Sequence, residues 1–389
     1  MHVNREIMSP TARPVIADGV RRRPGWRSAV AEGLYHSGAL RVLQAVSRHY
    51  EFGSNDGPLP VLRRARSPKF AILCYHRIGT EGVPLFSGLE PRIFEAQMQF
   101  IKRRYRIISL DQLCDEMERP TAEGHAIAVT FDDGYRDLYT YALPILQKHR
   151  IPATIFLPVT SIETGEVPWY DRVFLALKVL PQDHFDIVLD RPRSFPLISR
   201  ETRLQAATTI IEHLRTLSEQ SRRQYCESLE REVTLPREEL CDRMLTWEQV
   251  RAMCRAGIGF GSHTMTHPAV SRLTEKQLES ELRQSKQMLE ERIGAPVRHF
   301  AFPFGKPADC GTAAQAVLAE CGYRSAATTV EGICTPGDEL FGLHRLQIGE
   351  ERSLAMFAFK LNQQFLLAAD GDSIPVSPAA SSPRDRKRN

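Results

Sequence analysis

The chain has 389 residues, enough for one large or two modest domains around a sizeable core. Hydrophobic residues make up 42% and charged residues 25%, as in an ordinary globular protein, and a net charge of +4 is too small to argue for nucleic acid. No run of 18 apolar residues occurs, so no membrane-spanning helix is expected, and no basic start followed by an apolar core marks a secretory leader.

The basic excess is local. Residues 1–70 hold 12 Lys and Arg against 5 Asp and Glu. Residues 1–24 are polar and rich in Arg and Pro, which predicts poor order. A helix is predicted over 26–47, with Tyr35, Ala39, Val42, Leu43 and Val46 on one face and Arg27, Arg41 and Arg48 away from it. Such a helix either packs on the outside of the fold or rests on an anionic membrane, so the expected location is cytoplasmic or peripheral to a membrane. With the turn-rich linker that follows, residues 1–66 form a first segment.

From Lys69 strand and helix signals alternate. Strands are predicted at Phe70–Tyr75, 105–109, Ala126–Phe131 and Ala153–Leu157, with helices at Pro91–Arg104, 111–117 and 135–149. After an interruption come a helix over 246–256, a strand over 258–262 and a helix over 274–293. Thr274 and Gln277 form a capping-box signal for that helix, and Gly294 with Pro296 ends it. Strands at 298–302, 323–327 and 342–348 and helices at 311–320 and 353–365 complete the set. The pattern predicts an α/β fold with a mainly parallel sheet, closed or nearly closed into a barrel. The unit runs over 67–368, with a mostly helical insertion at about 163–245 that contains a strand-like 185–189 and one long helical run over 202–233. Trp169 and Tyr170, in the insertion, offer flat faces that can stack on a sugar ring. Residues 369–389 read as a disordered tail. The eight cysteines are scattered with no C-x-x-C pair, which suggests reduced, buried thiols rather than a zinc knuckle or a disulfide framework.

The strand Ala126–Phe131 ends in Asp132-Asp133-Gly134. Two adjacent carboxylates at a strand tip repel unless a cation lies between them. Far downstream, the strand at 258–262 ends in His263-Thr264-Met265-Thr266-His267, a spacing that places both imidazoles on one face of a helical turn. One carboxylate and two imidazoles form a three-ligand metal set with an open position for water. Both motifs fall just past the C-terminal ends of strands, where barrels place their sites.

Thr130-Phe131-Asp132-Asp133-Gly134 and His263-Thr264-Met265-Thr266-His267 resemble the first two motifs of the polysaccharide deacetylase family (NodB homology, carbohydrate esterase family 4), with a likeness running from about 69 to 366. The resemblance implies a distorted (β/α) barrel of about seven strands. It also implies metal-dependent hydrolysis of N-acetyl groups, a carbon–nitrogen bond outside peptides, on an acetylated polysaccharide or oligosaccharide. It makes Asp132 the general base and Asp133, with His263 and His267, the metal ligands; spacing alone does not decide between the two aspartates. The cation is expected to be zinc, with cobalt, nickel or iron also suited to this donor set. The backbone N–H of Tyr135, at the head of a helix, could help hold the oxyanion.

The departing amine needs a proton, and two histidines could supply it. Tyr75-His76-Arg77-Ile78 resembles the exopolysaccharide-type branch of the family, which favours His76; His344, on the last strand, is the other candidate. The third motif departs from the family pattern. In Phe300-Ala301-Phe302-Pro303-Phe304-Gly305, Ala301 replaces the arginine that orients the base, and Arg345 is the expected substitute. Pro303, Phe304 and Gly305 would still wall the sugar pocket, while the fourth motif is not identifiable. The competing readings are a catalytically silent glycan-binding module and an amidase acting on a small non-sugar amide.

Overall fold

A computed structural model describes residues 26–37, 50–53, 61–64, 68–79, 88–119, 124–233, 235, 243–311, 313–349 and 353–367. In chain order its strands are β1 (Tyr50–Gly53), β2 (Val61–Arg64), β3 (Phe70–Tyr75), β4 (Arg106–Ile107), β5 (Ala126–Phe131), β6 (Ala153–Leu157), β7 (His184–Val188), β8 (Pro192–Pro196), β9 (Gly259–Ser262), β10 (His299–Ala301), β11 (Ser325–Ala327) and β12 (Leu346–Gln347). The main sheet runs β11-β10-β9-β6-β5-β3-β12, all parallel, and β4 pairs with β5 off this path. β4 takes the edge of β5 at Ala126 and Ile127, and β6 takes over from Val129.

The sheet curls back on itself. A parallel bridge joins Ala327 to Leu343, and the Leu343 carbonyl accepts from the Thr328 N–H at 2.8 Å, so the segment ahead of β12 closes the gap to β11. This is the expected distorted (β/α) barrel of seven strands. The first and last strands are neighbours, with Leu346 in register with Leu73. β3 and β5 are buried on both faces throughout, which explains why each reads as an unbroken apolar run rather than an alternating one. Tyr75, Phe94 and Phe131 interlock, with centroids 5.3 to 5.8 Å apart. Each such ring buried contributes about 2 kcal/mol or more.

Several boundaries differ from the sequence expectation. The first helix is described over Trp26–His36, with Ala31 buried, and it lies against the closing helix Leu354–Leu367. Its continuation to residue 47 falls outside the described residues, as does the tail after 367. No helix among the described residues is long and apolar enough to cross a membrane. The run over 202–233 is two helices, Arg200–Leu214 and Glu219–Arg231, each started by a serine cap (Ser199, Ser218). β7 and β8 form a separate hairpin in the same insertion. Helix 274–293 keeps its predicted limits, with a Thr274–Gln277 capping box and Gly294 at φ 72°. The helix after β5 begins at Leu138 with one π-type turn, and the helix expected over 311–320 spans Ala314–Glu320, preceded by a separate short helix at Pro307–Cys310.

Candidate active site

The C-terminal ends of five strands converge on one cleft of about 370 Å³. His76 follows β3, Asp132 and Asp133 follow β5, His263 and His267 follow β9, Phe304 follows β10 and Thr329 follows β11; all seven line it. Sharp turns at these strand ends aim the side chains inward. Among the described residues, four of the five non-glycine residues with positive φ lie at this site: Asp133 (72°), Thr264 (68°), His267 (57°) and Phe304 (60°). Each such residue costs on the order of 1–3 kcal/mol, strain that persists only where the surroundings impose it. Gly134 is required beside them, because φ is 71° and an added Cβ would lie 2.4 Å from Leu157 Cδ2. Gly305 is likewise fixed, as a Cβ would come within 2.6 Å of the Thr329 backbone nitrogen.

The two histidines do not share a helical turn. Residues 263–267 form a loop in which left-handed Thr264 and His267 replace the helix expected from the spacing. Glu281 braces the loop, accepting from the backbone of Met265 (2.7 Å) and Thr266 (3.0 Å) and from the Thr266 hydroxyl (2.8 Å). The result still brings both rings together, with centroids 4.7 Å apart.

Asp133 Oδ1 lies 3.6 Å from His263 Nε2 and 3.4 Å from His267 Nε2, and all three residues are buried. Donor atoms around a tetrahedral ion with bonds of about 2.1 Å stand roughly 3.4 Å apart, so these residues fit a shared divalent cation. The tautomer of His263 is set for that role. Its Nδ1 lies 2.7 Å from the Ala301 carbonyl, which can only accept, so Nδ1 carries the proton and Nε2 presents a lone pair. Burial pulls the His263 pKa down to about 4, against the attraction of Asp132, which keeps the ring neutral. A second group, Cys74, His76 and Asp132, also lies within 4.8 Å. It suits a metal less well: burial raises the Cys74 thiol well above its ordinary value, and Asp132 is already neutralised by an arginine.

That arginine is Arg345. Its Nη1 and Nη2 each donate to one oxygen of Asp132 at 2.7 Å, and its Nε donates to the Thr328 carbonyl at 2.7 Å. The guanidinium is fully buried and the carboxylate nearly so. Burial alone would raise the Asp132 pKa, but Arg345, with His263, holds it well below the usual carboxylate range. The expected substitute for the arginine missing at Ala301 is therefore in contact with Asp132. His344, the next residue back, faces elsewhere: it does not line the cleft and its ring abuts Gly332.

Other expectations shift. Tyr135 bridges Met244 three residues ahead of the helix, so its N–H is not at a helix head. Its ring is buried and its hydroxyl donates to Asp171 Oδ2 at 2.7 Å. The Trp169 ring lies outside the cleft, with its Nε1–H donating to the His267 carbonyl at 3.2 Å; Tyr170 lines the cleft instead, 4.9 Å from the His267 ring. Pro303 does not line the cleft and accepts from the Gly305 N–H at 2.7 Å. The insertion also contributes Ile211, Glu212 and Arg215, which nothing in the sequence tied to the site because their approach depends on how the insertion folds back.

Asp171 was also unmarked. It is buried behind the site, and burial raises its pKa to about 7 despite the Tyr135 hydrogen bond. The unfolded carboxyl titrates near 4. Between these values the folded chain holds a proton that the unfolded chain has lost, so this group's contribution to stability falls as pH rises from 4 through 7. Asp171→Asn is expected to flatten that decline in urea unfolding measured from pH 5 to 8; an unchanged slope would contradict it.

The family model for polysaccharide deacetylase matches residues 119–326, more than half of the chain, and spans both Asp132-Asp133 and His263–His267. The chain belongs to the polysaccharide deacetylase family. A curated relative, YxkH of Bacillus subtilis (strain 168), provisionally named a polysaccharide deacetylase, is 21% identical over 304 residues, covering 76% of this chain and 77% of its own. Among solved structures, the Streptococcus pyogenes deacetylase PplD in complex with acetate aligns with a TM-score of 0.52 at 20% identity, over 77% of this chain and 99% of that one. BC0361, a polysaccharide deacetylase from Bacillus cereus, aligns at 0.50 and 19% identity over 78% and 72%. At these identities the two structures speak to the deacetylase fold alone.

Proposed function

We propose that the chain is a metal-dependent hydrolase that removes N-acetyl groups from a polysaccharide or glycan, with the unit running over 67–368. The observation that carries this reading is the convergence of Asp133, His263 and His267 beside the Arg345-held Asp132 in one open cleft. A divalent cation, zinc being the best match to two imidazoles and a carboxylate, would acidify the attacking water and polarise the acetyl carbonyl, which offsets the weak basicity of so acidic an aspartate. Asp132, held in its ionised form by Arg345, takes the proton from water. Arg345 fixes both carboxylate oxygens, so the base cannot rotate away. His76 reaches the same cleft and delivers a proton to the amine nitrogen as the C–N bond breaks. Phe304 and Tyr170 wall the sugar beside the reacting group. The Tyr75-His76-Arg77-Ile78 stretch supports an exopolysaccharide-type substrate.

His76→Ala is expected to lower the rate of acetate release from acetylated chito-oligosaccharides by about 10²-fold or more, while His344→Ala stays within about twofold. The reverse outcome would transfer the acid role to His344. Retained glycan binding with no acetate from any glycan, in zinc- or cobalt-loaded protein, would instead favour a silent binding module.

A further inference from the structure

A second cavity, of about 350 Å³, lies behind the His267 loop, between the insertion helix Glu219–Arg231 and the segment around Val159–Thr164. It shares a wall with the catalytic cleft: Thr266 and Trp169 face this cavity, whereas their chain neighbours His267 and Tyr170 face the cleft.

Its charges are unevenly used. Arg172 is held by Glu166 (2.7 Å) and Glu230 (2.6 Å), and Arg223 by Glu227 (2.9 Å). Arg222 is different. It is only 5% exposed, its guanidinium lies 5.0 Å over the Trp169 ring, and no hydrogen bond or ion pair ties it down among the described residues. Glu219 and Glu281 act on it only from beyond ion-pair distance. A buried guanidinium without an ion pair is costly, and among the described residues the stacking on Trp169 offsets only part of that cost.

We infer that this cavity is a subsite for a carboxylate-bearing sugar, a uronic-acid-type residue of the glycan, with the carboxylate on Arg222 and the ring against Trp169. The forked guanidinium suits a two-oxygen anion, and Thr160 and Ser161 supply hydroxyls for sugar hydroxyls. A singly charged carboxylate fits better than a dianionic phosphate, because among the described residues Arg222 is the one cation lining the cavity without an ion pair, and Glu219 lies nearby. The inference rests on the glycan reading of the adjoining cleft and adds an acidic sugar to it.

Calorimetric titration of the full chain reads this without turnover. The probes are a tetrasaccharide alternating glucuronate with N-acetylglucosamine and the neutral N-acetylchitotetraose. The acidic probe is expected to bind about tenfold more tightly or better, and Arg222→Met to remove that preference while the neutral probe binds as before. Should Arg222→Met fail to fold, Arg222→Lys, which keeps charge but loses the fork, is expected to weaken the preference. Equal affinities, binding of neither probe, or a preference that survives both variants would overturn the subsite. A fall in melting temperature with the preference intact would make Arg222 a structural brace and overturn it as well. Acetate release is scored separately: a preference without release removes the deacetylase reading and keeps the subsite, and release without preference does the converse.

Discussion

Arg345→Met is expected to destabilise the protein by about 3–5 kcal/mol at neutral pH, because it strands the Asp132 carboxylate in the barrel with no counter-charge. The pH dependence should change sign with it. In the wild type, Arg345 depresses the Asp132 pKa, so this pair's stabilisation is present above about pH 4 and is lost as pH falls. In the variant, burial outweighs the remaining pull of His263 and raises that pKa, so the penalty grows as pH rises through 4 and above. Urea unfolding at pH 4.5 and pH 7.5 separates the two cases. The double variant Arg345→Met/Asp132→Asn, which removes both charges, should regain most of the loss. A single-variant cost below about 1 kcal/mol would show that the pair is not formed.

The second large effect concerns chemistry. Asp132→Asn is expected to lower kcat for acetate release by about 10²–10⁴-fold while the bound metal is retained, since it removes the proton acceptor and leaves Asp133, His263 and His267 in place. His263→Ala is expected to lose both activity and metal, measured as metal content after dialysis. If Asp132→Asn lost the metal and Asp133→Asn kept it, the roles of the two aspartates would be exchanged.

The barrel and the clustering of Asp133 with His263 and His267 were legible in the sequence for a common reason. Parallel strands buried on both faces leave unbroken apolar runs, and polar residues placed at strand tips follow those runs directly, as Asp132 and Asp133 follow Phe131. Arg345 was legible only through the family resemblance, which implies an arginine where Ala301 stands and so pointed to another cation near the base. What stayed hidden depended on backbone shape. The His263–His267 spacing suits a helical turn equally well, and only the left-handed Thr264 and His267 make it a loop. Trp169 and Tyr170 are adjacent and both aromatic, yet the turn ahead of their helix sends one ring to each cavity. Asp171 and Arg222 carry no motif at all; their burial is what makes them informative.

The most direct test of the shared-cation claim is X-ray absorption at the zinc edge on protein loaded with one equivalent of zinc. Two imidazoles and a carboxylate predict nitrogen and oxygen neighbours only, at about 2.0–2.2 Å, with imidazole scattering beyond. A sulfur neighbour near 2.3 Å would place the ion on Cys74 instead, and failure to hold zinc at all would remove the metal site, so either result would contradict the account.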